Sequence, residues 1–476
     1  MSGLAQLLNT ARSALLAQQY GMSVTSHNIA NAGTVGYSRQ RALMVTNTPV
    51  RTSAGLIGTG VLMLGVTRIR DQFLDQQLRG SAQSMGAATA EQGVLRHIEA
   101  LMNEPSTGGM SDAMTRFFAA WQDLATRPED AVAREQVRQE GNFLASSFRG
   151  MHRELTALRS SVRDNLTATV DRINALAREI ADINAQIVSA SSSGQEAPDL
   201  RDLRDLKLEE LASLGSISVT EDAQGAVTVS LGGAVIASRN GASAVMLADA
   251  PTIDIGGTTF DQLQIVTERG QNPVAVAAGE LGGLLRSYNQ TVPEQIGNLD
   301  RLARAIIDAV NAIHQTGYGQ GTPPPTGINF FLGSDASTID LDLTDTSTGA
   351  APGSNPRTDN IAAAAGPPPP AAGDNAIALR IAQLLDDPQA ALDGRSMAEF
   401  YGSMAARVGT ALVALDNKVQ ATEMVLAQLV NQREATSGVS LDEEMTNMIR
   451  YQRAFDAAAR VIATADEMFQ TLLGMV

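Results

Sequence analysis

Residues 26–40 read "SHNIANAGTVGYSRQ", and they stop a helix. Asn28 and Asn31 bracket Ile29-Ala30, Gly33 and Gly36 follow, and Tyr37 comes next. Asparagine is poor in a helix interior and glycine is worse. Upstream, Leu4, Leu8, Ala11, Leu15, Met22 and Ile29 recur, and Gln18 and Thr25 complete a 4-3-4-3 spacing. That is a heptad seam on a helix over residues 3–30. The break behind it needs local devices. Asn31 and Gly33 are expected to take left-handed geometry and end the helix. Asn28, one turn earlier, offers its amide to carbonyls or to a neighbouring helix. Gly36-Tyr37 then turns the chain, with the ring as a packing anchor.

The other end of the chain repeats the pattern. Leu441, Met445, Met448, Phe455, Ala459, Ile462, Phe469, Leu473 and Val476 form a second 4-3-4-3 seam. Neither terminal helix can bury its seam alone. They are expected to pair with each other, or with copies from neighbouring subunits. Charge agrees: residues 1–70 hold six arginines and no acid, whereas 441–476 hold six acids and three arginines. Exposed pairs of this kind contribute little each.

Between the ends, helical periodicity runs over 70–103, 111–127, 129–190, 199–213, 280–315, 375–387 and 396–436. The 129–190 pattern spans about 90 Å if unbroken, which suits an elongated molecule. The period changes to two in "SISVTE", "AVTVSL", "AVIAS", "AVMLAD" and "LQIVTE", with turns at Gly225 and Asn240-Gly241. Residues 37–70 read as extended and Gly-punctuated, and "GQGTPPPTG" and "AGPPPPAAG" break the chain again. The fold class is therefore mainly α with a small antiparallel β insertion, an elongated multi-domain chain whose terminal heptad helices pair as a coiled coil. The expected segments are an inner-core helix (1–36, with 437–476), an extended or β linker (37–70), a long helical bundle (71–215) continued by 279–315 and 375–436, the β unit (216–278), and a Pro/Gly-rich excursion or reduced outer domain (316–374).

Composition narrows the function. The 476 residues are 44% hydrophobic but 4% aromatic, so cores rest on aliphatic side chains. A net charge of −16 argues against a general nucleic-acid binder. No window reaches about 18 apolar residues, so no membrane insertion is expected. The N-terminus lacks the parts of a secretory signal, though its acid-poor, Arg-bearing helix resembles a transit peptide. There is no cysteine, which excludes disulfides and thiolate metal sites and suits a chain that travels unfolded. His27, His97, His152 and His314 have no partner at ligand spacing and read as surface or packed side chains. "GLIGTG" lacks dinucleotide spacing, "DLDLTD" lacks the glycine and terminal glutamate of a calcium loop, and no nucleophile elbow is present. No cofactor is expected and no enzymatic activity. The informative features concern assembly.

These residues carry a resemblance. "SHNIANAGTVGYSRQ" resembles the N-terminal signature of the bacterial flagellar axial proteins, the rod, hook and hook-associated proteins, and "GYSRQ" is similar to the hook-associated branch. "SGVSLDEEMTNMIRYQRAFDAAARVIATADEMFQTLLGMV" resembles the C-terminal helix of the same family; "EDAVAREQVRQEGNFLASSF", "LRDLRDLKLEELASL" and "AIHQTGYGQGTPPPTGINFF" also fit it. His27 and Val35 depart from the usual pattern, and the stretch after Phe330-Phe331 is short where larger members insert an outer domain.

The resemblance implies a structural adaptor between hook and filament, secreted by the flagellar type III apparatus without a cleaved signal and polymerised at the distal hook end, outside the cell. Its implied partners are copies of itself in a ring, the hook protein, a second junction protein on the filament side, and an export chaperone on the C-terminal helix. The implied assembly interface is Leu4, Leu8, Leu15, Met22, Ile29, Leu441, Met445, Met448, Phe455, Ile462, Phe469 and Leu473. Asn28, Asn31, Gly33, Gly36 and Tyr37 would form the turn between an inner layer of terminal helices and an outer layer made of 45–215, 216–278 and 375–436. Another axial subunit, of hook or filament type, is the alternative reading.

Overall fold

The computed structural model describes residues 2–52, 55–102, 108–193, 195–320, 324–344, 353, 357–366 and 373–474. Helix α1 (Ser2–Ala30) leads into β1 (Gln40–Thr46), a short hairpin of β2 (Val50–Thr52) and β3 (Gly55–Ile57), and β4 (Val61–Arg68). β1 and β4 form an antiparallel ribbon from Gln40↔Arg68 to Thr46↔Val61. The ribbon lies along α1. Gln40 is bonded to Asn28 at one end, and at the other Val61 N donates to Ser13 Oγ at 3.3 Å. Fifteen helical residues and seven strand residues both span about 23 Å, so the two elements match in length.

Helices α2 (Gln72–Met102), α3 (Met110–Thr126), α4 (Ala131–Ser192) and α5 (Pro198–Leu214) follow. The breaks between them have local causes. Asp130 caps α4 by accepting from Val132 N at 2.8 Å, and Pro198 occupies the first turn of α5. α4 keeps its seam buried from Val137 to Ile187.

The β region is antiparallel and forms two sheets. β5 (Ile217–Glu221), β6 (Val227–Leu231), β7 (Ala234–Ser238) and β8 (Gly241–Ala242) pair in sequence order. β9 (Val245–Ile255), β10 (Thr258–Thr267) and β11 (Pro273–Val274) pair in the order β11-β10-β9. The sequence pattern stops near Asp249 because Pro251 interrupts it. In the structure β9 continues, since the proline falls where the register shifts opposite Phe260–Gln262, a bulge that spares a ladder donor. The hairpin turn is Gly256-Gly257, both at positive φ (65° and 83°).

Next come α6 (Gly279–Arg286), one π-type turn (Ser287–Thr291), α7 (Val292–His314), the pair β12 (Phe331–Leu332) and β13 (Asp340–Leu341), α8 (Ala376–Gln383), α9 (Met397–Ser437) and α10 (Leu441–Gly474). Ser396 and Glu399 form a capping box at the start of α9.

The core sits where α3, α4 and α7 meet. Phe117, Trp121, Leu144, Phe148, Phe330 and Phe331 are fully enclosed there. The Trp121 and Phe330 rings lie 5.3 Å apart and those of Phe330 and Phe331 4.8 Å apart, tilted and edge-on. The stretch around 330 reads in sequence as part of a proline-broken excursion, yet Phe330, Phe331, Ile339, Leu341 and Leu343 join the main core. Two side chains of α7 hold it there. Asn311 Oδ1 accepts from the backbone N of Phe330 (2.8 Å) and Phe331 (2.9 Å), and its Nδ2 donates to Phe331 O (2.7 Å). His314 Nδ1 donates to Ile328 O at 2.7 Å and its Nε2 accepts from Ala362 N at 3.0 Å. The rest of 316–374 lies partly outside the described residues.

Candidate assembly site at the terminal helix pair

α1 and α10 pack against each other and run antiparallel: Asn28 meets Glu444, and Gly21 lies beneath the Tyr451 ring. The buried line on α1 is Ala11, Ala17, Gly21, Val24, Thr25 and Asn28. On α10 it is Glu444, Ala458 and Ala465, with Tyr451 half-buried between them. Small residues let the helices approach closely. A methyl group on Gly21 would sit 2.7 Å from Tyr451 Cε1.

Ala11 and Thr25 of the sequence-read seam lie on this line, and its larger apolar residues lie beside it. Leu4, Leu8, Leu15, Met22 and Ile29 are half-buried, and at 3.6 residues per turn they lie about a quarter-turn from the small-residue line. On α10, Met448, Phe455 and Ile462 are half-buried, whereas Leu441, Met445 and Phe469 are 53%, 58% and 41% exposed. The side chain of Leu473, like Val476, lies outside the described residues. Hydrophobicity picked out the flank of the contact; its centre was selected for size.

The turn residues converge on one buried polar node. Asn28 is enclosed and makes four hydrogen bonds. Its Oδ1 accepts from Tyr37 Oη (2.7 Å) and Gln40 N (2.9 Å), and its Nδ2 donates to Gln40 O (2.9 Å) and Glu444 Oε2 (3.1 Å). Arg39 donates to Glu444 (2.7 Å from Nε, 2.6 Å from Nη2) and to Glu443 (2.6 Å). Burial works against the Arg39 charge, but the hydrogen bonds to Glu443 and Glu444 outweigh it and raise its pKa. Burial, and then the carboxylates of Asp199, Asp202 and Glu444, push the Tyr37 phenol up, so it stays protonated and donates.

α5 closes the node from the side of the helical body. Asp202 accepts from Ser38 N (3.0 Å) and Arg68 (2.7 Å), Asp205 accepts from Arg68 (2.7 Å) and Arg70, and Asp199 accepts from Gln40 Nε2 (2.6 Å). Arg39 N also donates to Ser437 O at 2.8 Å, where α9 ends. One cluster thus ties together α1, the ribbon, α5, α9 and α10. Glu444 and the α5 aspartates were missed in the sequence, where the charge contrast between the two ends pointed to exposed pairs; the Glu444 side chain is 3% exposed.

The helix end itself corrects one expectation. Asn31 bonds back to His27 O (3.0 Å from Nδ2, 3.1 Å from N), and neither Asn31 nor Gly33 has positive φ. The left-handed residue is Gly36, at φ 80°. A Cβ there would lie 2.5 Å from Leu206 Cγ on α5. Gly36→Val is expected to destabilise the turn by about 2 kcal/mol through strain and collision. Gly33→Val is expected to be nearly neutral, since a Cβ there meets nothing within 4 Å. Urea midpoints of both variants check the contrast.

Among the described residues, no group of three or more His, Asp or Glu side chains is placed to hold a metal ion, and no helix is long and apolar enough to cross a membrane. The arrangement joins chain segments.

Comparison with known proteins accounts for that geometry. A family model described as "Flagella basal body rod protein" matches residues 8–37, which carry α1 and the turn. One described as "Flagellar basal body rod FlgEFG protein C-terminal" matches 431–475, which carry α10. "Flagellar hook-associated protein FlgK helical domain" matches 95–331. "Flagellar hook-associated protein 1" of Bacillus subtilis is 29% identical over 98% of this chain and 97% of its own length. The chain is a relative of flagellar hook-associated protein 1 along its whole length. The protein of the same name in Escherichia coli is 25% identical over 99% of this chain and its own full length. A solved structure, "the flagellar hook junction protein FlgK from Burkholderia pseudomallei", shares the fold at a TM-score of 0.57 and 17% identity, covering 76% of this chain and all of that one. The chain is a structural component of the bacterial flagellum. The two rod-type matches, some 400 residues apart in sequence, meet at the Asn28–Glu444 node.

Proposed function

We propose that this chain joins hook to filament, as a ring of copies whose α1–α10 pairs line the axial tube. The observation that carries the reading is the apolar face the helix pair leaves open. Leu441 and Met445 are more than half exposed, and Leu4, Leu8, Leu15, Met22 and Ile29 are only half covered. In an antiparallel pair the two flanks turn to the same side, so a neighbouring pair can cover both at once. The name shared by full-length relatives, flagellar hook-associated protein 1, supports a place at the hook.

In this reading the chain is exported unfolded through the flagellar type III apparatus to the cell exterior. A cytosolic chaperone covers α10 until export, and the absence of cysteine leaves nothing to crosslink on the way. The hook protein borders the ring on one side and a second junction protein on the other. The Asn28–Tyr37 turn separates the inner layer of terminal helices from the outer helical body.

Immunogold electron microscopy tests the placement. Label confined to a narrow band between hook and filament is the expected result. Label along the whole hook or filament would overturn it in favour of a general axial subunit, a second reading that the rod-type matches at both ends favour. Deleting 441–476 is expected to abolish filament attachment while the body stays folded, because the buried core around α3, α4 and α7 does not include α10. Motility and circular dichroism of the truncated protein check both halves.

A further inference from the structure

We propose that the free edge of β5 and the arginine-lined cleft beside it take up an extended, acidic strand from a partner protein. β5 is the outer strand of its sheet. Gly232 N donates to Ser216 O (3.0 Å) and Asp222 N to Ala226 O (2.8 Å), which sets the phase of the antiparallel ladder. Ser218 and Thr220 therefore bond to β6, and Ile217, Val219 and Glu221 turn their backbone groups outward. Gln83 Nε2 takes Ile217 O at 2.9 Å. The groups of Val219 and Glu221 open onto the cleft. The edge carries no proline and no lysine, the usual devices against strand addition.

The cleft, about 840 Å3, lies between β5, the start of α2, and α5. Five guanidinium groups and four carboxylates, those of Asp75, Glu196, Asp205 and Glu221, line it, which leaves a small positive excess in a chain of net charge −16. Arg68 and Arg70 are committed to Asp75, Asp202 and Asp205. Arg204 Nη1 donates to Gly225 O at 2.5 Å and its Nη2 lies 3.6 Å from Glu221, a carboxylate it shares with Arg201. Arg204 is 1% exposed, and its Nε has no hydrogen-bond partner. Arg201 Nε is likewise buried without one, and its other nitrogens reach Glu221 and Glu196 at 3.3 and 3.5 Å. Arg79, half-exposed at the rim, has no ion pair among the described residues. An incoming strand would lie about 4.8 Å from β5 and match its five residues over about 17 Å. Main-chain bonds would give affinity, and carboxylates on the strand would meet Arg79 and Arg201. The cleft is on the helical body and stands whether or not the chain joins hook to filament.

The probe is a fluorescein-labelled seven-residue peptide alternating aspartate and valine, with an asparagine–valine peptide as its neutral counterpart. Titrated into the full chain at low salt, the acidic peptide is expected to bind saturably by anisotropy. The neutral peptide, the Arg79→Glu variant and the Val219→Pro variant are each expected to bind at least tenfold more weakly. Hydrogen exchange at the amides of Val219 and Glu221 in the unmodified chain is expected to slow when the acidic peptide binds. This exchange result decides the matter even if a variant proves unfolded by circular dichroism. Absence of saturable binding, equal affinity for the two peptides, or binding without protection at Val219 and Glu221 would each overturn the proposal.

Discussion

Glu444→Ala is expected to destabilise the docking of the terminal helices by about 3–5 kcal/mol, because it removes one partner of a buried charge pair. The Glu444 carboxylate accepts from Asn28 and from two nitrogens of Arg39. Its loss leaves the Arg39 guanidinium, whose side chain is 20% exposed, with the exposed Glu443 carboxylate in place of its enclosed partner, and leaves the Asn28 amide short of an acceptor. The helix pair has little apolar burial in reserve, since its contact line is built from Ala11, Ala17, Gly21, Ala458 and Ala465. The penalty should therefore appear locally. Amides of α1 and α10 should exchange at nearly open-chain rates while those of α4 and α7 keep their protection. Glu443→Ala is the control. That side chain is 62% exposed although it too bonds Arg39, so its removal should cost no more than about 1 kcal/mol. Equal effects from the two substitutions would mean that burial at Glu444 does not set the energy.

Acid is expected to weaken the core through His314. Complete burial, with a smaller effect of nearby Arg134, pushes its pKa down to about 4 from 6.5. The neutral ring with its proton on Nδ1 satisfies both neighbours, Ile328 O and Ala362 N, and a second proton on Nε2 would oppose the Ala362 donor. Between pH 6.5 and pH 4 the unfolded chain binds a proton that the folded chain refuses. Stability is thus complete above 6.5 and falls as pH drops toward 4, by about 3 kcal/mol for this group. His314→Gln cannot titrate. The stability difference between the parent and H314Q, read from urea unfolding at pH 7 and pH 4, should shrink by that amount. A difference independent of pH would refute the assignment.

Most helices were legible because burial on one face imposes a period, and the long seam of α4 shows it from Leu144 to Ile187. Three features were less so, each for a physical reason. β9 ran past the reading because Pro251, a strand breaker in sequence, sits at a bulge where no donor is needed. The segment containing Phe330 and Phe331 looked like loop because prolines surround it. Its attachment depends on Asn311 and His314, and polar side chains carry no periodicity. At the terminal pair, reading by hydrophobicity favoured leucine and methionine, while close helix contact favours alanine and glycine. The polar node was half visible. Asn28 stood out as a helix breaker and Tyr37 as a packing anchor beside a turn, but Glu444 looked like an ordinary acid in a helix's first turn, where it would suit the helix dipole.

The node has a kinetic consequence. Asn28 and Glu444 are 416 residues apart in sequence, and Arg39 and Glu444 are 405 apart. Contacts of such high order wait for the intervening loop to close, and its entropy must be lost before the contact returns anything. The body shortens that loop first. Once α5 has folded, Asp199, Asp202 and Asp205 stand ready for Gln40, Arg68 and Arg70, and α9 delivers Ser437 to Arg39. The docking of α1 on α10 is therefore expected to follow the folding of α5 and α9, and their joining would report that those helices are already in place.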